Sequence, residues 1–150
     1  KMSFNNFQSA PGSTGSGEVF NISAITILSA TKFEEGIKAG LFAKIDAGSL
    51  DNLDGSATPV VAGVVVRKVS STMEENGSYV STYNSSVDYV RGGMVTVEIK
   101  DGETPAKFGE VFASNLGDAD DGKALTAAGI ATGAEFIEAI SATVWLVRLK

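Results

Sequence analysis

The sequence contains no cysteine and no histidine. Without cysteine, stability cannot rest on disulfides, and the redox compartment leaves no trace in the composition. Without histidine, the commonest general base and the commonest metal ligand are both missing. Positive charge is scarce as well. Twelve basic residues stand against eighteen acidic ones, for a formal charge of −6. That balance argues against a nucleic-acid partner, which needs a basic footprint, and against anionic membrane surfaces. No apolar run approaches the roughly 20 residues of a membrane span, and no signal-like segment opens the chain. The expectation is a soluble protein that carries no targeting address.

What is present points to β-structure. The chain has 150 residues, which suits one domain or one domain with an arm. A domain of this size buries roughly 70% of its unfolded surface, enough for a core without staples. Seventeen glycines are spread along the sequence, and Val, Ser and Thr outweigh the helix formers Leu, Glu and Lys. An all-β domain with many tight turns is expected.

The organisation divides into an arm, residues 1–17, and a single domain, residues 18–150. The arm, K-M-S-F-N-N-F-Q-S-A-P-G-S-T-G-S-G, has no period and ends in a Gly/Ser-rich tether. Composition alone fits a disordered leader as well as an anchored arm, but Phe4 and Phe7 are costly to leave in water and suit a pair of aromatic anchors for a neighbour. With Gln8 and Phe20 they form the candidate partner contacts.

Within the domain, Glu18–Leu28 reads as a long strand with apolar residues on both faces. Lys32–Gly40 is expected to turn, Leu41–Asp46 to form a short strand, and Asp51–Pro59 to turn again. Val60–Val69 is a β-branched run suited to a central strand. Asn76-Gly77 predicts a hairpin turn over Glu74–Ser78. The clearest strand is V-D-Y-V-R-G-G-M-V-T-V-E-I-K, residues 87–100. There Val95, Val97 and Ile99 alternate with Thr96, Glu98 and Lys100, as on a strand with one wet face. Gly109–Ser114 is another short strand. Glu135–Ile140 fits either a helical turn or a strand face, and the strand is preferred because no cap precedes it. The final S-A-T-V-W-L-V-R-L-K places Thr143, Trp145, Val147 and Leu149 on one face of a closing strand, with Trp145 in the core.

The calcium and dinucleotide motifs fail on spacing. Asp118, Asp120 and Asp121 cluster near Gly122, but an EF-hand needs Gly at position 6 and Glu at 12. Counted from Asp118, Gly122 falls at position 5, so a solvated turn is expected and no metal. Serine catalysis without histidine needs a Ser–Lys pair; G-x-S-x-G does not occur, and the one S-x-x-K match is Ser29-Ala30-Thr31-Lys32. Glu34-Glu35 and Glu135/Glu138 read as surface charge. Glycines 12, 15 and 17 do not make G-x-G-x-x-G. The sequons at Asn21, Asn76 and Asn84 are chance matches in a Ser/Thr-rich chain. No catalytic residue, metal or cofactor is expected.

The segments G-I-K-A-G-L-F (36–42), G-V-V-V-R-K-V (63–69), V-D-Y-V-R-G-G-M-V-T-V-E-I (87–99) and P-A-K-F-G-E-V-F (105–112) carry a family likeness. Together with the ending G-A-E-F-I-E-A-I-S-A-T-V-W-L-V-R-L-K, they resemble the cement, or decoration, proteins of tailed-phage heads. The resemblance implies an antiparallel β-sandwich of jelly-roll type on the outside of the head, clamping neighbouring major capsid subunits. It implies the major capsid protein and further copies of itself, as a dimer or trimer, as partners, and no catalytic residues. A carbohydrate- or surface-binding sandwich is the alternative, for which Tyr79, Tyr83 and Tyr89 are the candidate contacts.

Overall fold

The computed structural model describes Gly17 and residues 25–67, 72–73, 79–80 and 86–150. Every regular element among them is a β-strand. β1 (Thr26–Ala30), β2 (Phe42–Asp46), β3 (Ser49–Asn52) and β4 (Val60–Val65) come first. β5 (Thr72–Met73) and β6 (Tyr79–Val80) form a separate two-stranded sheet. β7 (Val87–Glu98), β8 (Glu110–Ala113), β9 (Ala124–Leu125), β10 (Ile130–Ala139) and β11 (Val144–Leu149) follow.

Nine strands make one sheet in the order β3-β2-β4-β7-β11-β10-β8-β9, with β1 also paired to β7. The named strand pairs are all antiparallel. β7 is the spine, because it is long enough to serve two sets of neighbours. Its first half pairs with β1 and β4, and Gly93–Glu98 pairs with β11. At the far end the sheet curls back on itself: Lys100 N donates to Ala124 O at 3.1 Å. The expected all-β antiparallel fold is present, and its two layers are halves of one curled sheet joined through β7.

The curl encloses the main core. Phe42, Val64, Val90, Val95, Val97, Val111, Phe136 and Val147 are buried there with smaller neighbours. Trp145 packs against this cluster, edge-on to Phe136 with ring centroids 5.5 Å apart. The closing strand is present as expected, with Trp145 half-buried at the margin of the core and not inside it. A second cluster, with Ile37, Leu50, Val65 and Val87, lies on the opposite face of β2, β4 and β7. Two cores explain why β4 reads as an unbroken apolar run: it is central, and both its faces are covered.

Three local expectations change. Thr96, assigned to a wet face, is fully buried, directly across from the buried Leu146 of β11. Alternation records the polarity of side chains, whereas burial depends on what lies over the sheet. Asp51 and Asn52, expected in a turn, are the end of β3 and pair with Lys44 and Ala43. Ile37, inside the expected turn at 32–40, is fully buried as the lid of the second core. Glu135–Ala139 is strand, as preferred, within the longer β10. The turn expected at 74–78 lies outside the described residues, and the strands flanking it pair antiparallel. Of the strand expected over 18–28, the structure describes Ile25 and the first residues of β1.

Candidate partner-binding surface

An open sheet edge is a template for another chain, and natural proteins cover such edges or charge them. The edge of β3 is covered. Leu50 N donates to Lys32 O at 3.0 Å, and Glu34 N donates to Leu50 O at 2.9 Å. Asn52 N donates to Glu34 Oε2 at 2.8 Å, so this glutamate is a structural cap for the edge. The β9 edge is closed by the bridge from Ala124 to Ile99. β1 differs from both. Its sequence T-I-L-S-A carries no charge and no proline, and among the described residues it pairs with β7 alone. Ile27 and Leu28, which point to opposite faces, are 46% and 38% exposed.

A further exposed apolar side chain lies on the other half of the sheet. Phe108 is 69% exposed and sits at φ 65°, a left-handed conformation that costs a bulky residue about 1–2 kcal/mol. Its backbone is held there: Phe108 N donates to Phe136 O at 2.6 Å, and Gly109 N donates to Ala106 O at 3.0 Å. Beside it runs a groove of about 340 Å³, floored by Val111, Phe112 and Ala134 and rimmed by Glu110, Glu135 and Lys150. Leu116 and Val60 are also two-thirds exposed.

Several charged groups are committed to structure. Lys44, almost fully buried on β2, donates to Asp54 Oδ1 at 2.7 Å and to Ser56 Oγ at 3.0 Å. The hydrogen bond from Lys44, then that from Ser56, pulls the Asp54 carboxyl down to about 2. The same bond to Asp54 raises Lys44 against the opposing effect of burial. Because the folded carboxyl lies below its unfolded value of 3.8, its contribution is complete above that value and is lost as the pH falls toward 2. The Asp54→Asn variant should therefore show a flatter decline in Tm than the wild type between about pH 4 and 2. Matching acid profiles would show that the pair has no stabilising role. Asp54 is well exposed, so added salt should shrink the difference.

The acidic loop at 117–122 organises itself. Asp121 accepts from Leu116 N at 2.6 Å and from Gly117 N at 2.8 Å, capping its own turn. Asp120 pairs with Lys123 at 2.9 Å, and that hydrogen bond lowers its pKa below the ordinary aspartate value. Burial works against the charge of Lys123, but Asp120 and Glu98 hold its pKa above the ordinary value. No cluster of acidic side chains able to hold a metal occurs among the described residues. Glu135 pairs with Arg148 and Lys150. Of the carboxylates flagged in the sequence, Glu34 and Glu135 already have partners.

The candidate contacts Phe4, Phe7, Gln8 and Phe20 lie outside the described residues. So does Tyr83, and the Tyr79 side chain is likewise outside them. Tyr89 packs against the second core, which removes it from the exposed aromatics a surface-binding module would need. Sequence reading missed Phe108, Ile27 and Leu28 as surface residues. An apolar residue beside a turn looks the same in sequence whether it is buried or bare. The P-A-K-F-G context of Phe108 is the only local signal, since Gly and Pro mark a turn there.

Comparison with known proteins agrees with a surface made for assembly. The family described as XM1 gp53 minor capsid protein matches residues 2–150. A chain in the solved capsid of Myoviridae phage XM1 superposes with a TM-score of 0.82 at 34% identity, covering 99% of this chain and 98% of that one. No curated protein matches. The chain therefore belongs to the XM1 gp53 minor capsid protein family, and it is a structural protein of the phage virion.

Proposed function

We propose that the protein sits on the exterior of the assembled head and cements neighbouring major capsid subunits. The observation that carries this reading is a pair of places with bare apolar side chains, Ile27 and Leu28 on β1 and Phe108 beside a mixed polar and apolar groove, on different halves of one sheet. A clamp needs two contacts that one rigid body can make together. Binding the assembled shell in preference to loose subunits stabilises the shell by mass action. Each contact can be individually modest, because the second forms at high effective concentration once the first is made. The arm adds a third contact, with Phe4 and Phe7 as its anchors, and copies act together as a dimer or trimer.

Banding particles on a density gradient and quantifying this chain against the major shell protein tests the reading. Near-stoichiometric banding with shells supports it, and recovery only at the top of the gradient overturns it. The Phe108→Gly variant sharpens the test. Relief of about 1–2 kcal/mol of left-handed strain outweighs the 0.4–1 kcal/mol typical of added backbone freedom. Domain stability is therefore expected to hold or to rise by up to about 1 kcal/mol. Shell binding is expected to fall about tenfold or more, as for a lost aromatic anchor. Binding unchanged by the variant would remove Phe108 from the interface.

A further inference from the structure

We infer that β1 is the docking edge for the arm of a second copy, residues 1–16, which joins the sheet as an added strand. The inference rests on the reading that copies of the chain meet on a shell, and it names the surfaces that meet.

The edge is built to accept a strand. Val66 N donates to Asp88 O, so the backbone of Asp88 faces β4. Antiparallel alternation then turns Tyr89 toward β1, where it pairs with Leu28. The backbone groups of the flanking residues, Ile27 and Ser29, consequently face outward. Each has an N–H and a C=O that a fifth-column strand would satisfy. Ile27 and Leu28 add an exposed apolar side chain on each face of that edge.

The arm suits the vacancy beside them. Apart from Lys1 it is uncharged, like β1 itself. Phe4 and Phe7 are an odd number of residues apart, so an extended arm shows one ring on each face, as the edge shows Ile27 and Leu28. Sixteen extended residues reach roughly 50 Å, further than the roughly 30 Å across a small domain.

Topology favours exchange between copies. Gly17 is clamped where the arm begins: its N donates to Thr96 O at 2.7 Å, and its O accepts from Arg67 N at 3.2 Å. A Cβ there would lie 2.7 Å from Gly40 N and 2.9 Å from Val65 O. These partners put Gly17 on the β4 side of β7, whereas β1 pairs on the opposite side. An arm that starts on the wrong side of the spine for its own β1 is placed to leave for a neighbour's.

Two full-length chains with different tags, mixed at about 1 mM, approximate the local concentration that a lattice imposes. One tag should capture the other chain. The synthetic peptide K-M-S-F-N-N-F-Q-S-A-P-G-S-T-G-S in excess should reduce capture about tenfold or more, and the same peptide with both phenylalanines replaced by alanine should not. The full-length Ile27→Lys variant should not be captured while keeping the wild-type circular dichroism spectrum. Capture indifferent to the native peptide, or a wild-type chain that stays monomeric, overturns the inference. Co-banding with shells by a chain that never self-associates would leave the cement reading standing and remove this one. Self-association without co-banding would do the reverse.

Discussion

Replacing Gly63 with alanine is expected to destabilise the domain by more than about 3 kcal/mol, which for this chain length lowers Tm by roughly 10 °C. Gly63 lies on β4 at φ 154°, next to the irregularity where β2 shifts register against β4. A Cβ at this position would stand 2.1 Å from Val90 O and 3.0 Å from the Val90 carbonyl carbon. Both are backbone atoms of the spine strand, so no side chain can swing aside. The strands would have to part by about an ångström or more to restore ordinary contact. Parting them disrupts the Val64–Val90 and Val65–Tyr89 pairs. It also disturbs both cores, because Val64 and Val90 belong to one and Val65 and Val87 to the other. Urea unfolding of the purified variant measures the loss. A change below about 1 kcal/mol would mean that β4 and β7 do not approach as closely as described.

Phe136→Ala should cost about 3–5 kcal/mol. The ring is 1% exposed and stands at the centre of the main core, where truncation leaves a cavity that the strands cannot collapse around. Its edge-on contact with Trp145 adds a share of about 0.5–1.5 kcal/mol to that total. The backbone of Phe136 also bonds Gly109 O and Phe108 N, so the same residue ties the exposed loop to the core. Trp145 is the only tryptophan in the chain, which makes its fluorescence a clean reporter. The variant should show a red-shifted emission at temperatures where the wild type is native, with the urea midpoint lowered. Phe136→Leu, which keeps most of the volume, should lose only about 1–2 kcal/mol. If alanine and leucine behave alike, the cavity explanation is wrong.

These two residues show how differently positions can be read. The strand around Phe136 was only half legible, since Glu135–Ile140 fits a helical turn as well as a strand, and the strand face carries Glu138 between Phe136 and Ile140. The distance from Gly63 to Val90 was not legible at all, since G-V-V-V records nothing about which strand crosses it. Glu34 reads as surface charge, yet it caps β3 through Asn52 N. That role follows from residues eighteen positions apart meeting across a loop.

Composition and alternation alone determined an all-β antiparallel chain, a central strand within residues 60–69, its closing strand through Trp145, and the want of groups for histidine or thiol chemistry. Those properties are local, set by side-chain type and a period of two along each strand. Tertiary structure decided which sheet edges are covered and which is unpaired among the described residues, why Thr96 is dry, and why Phe108, Ile27 and Leu28 are bare. Each of these depends on what a distant segment lays over a strand. The order β3-β2-β4-β7-β11-β10-β8-β9 arises from long-range pairings for which no single stretch of sequence contains both partners.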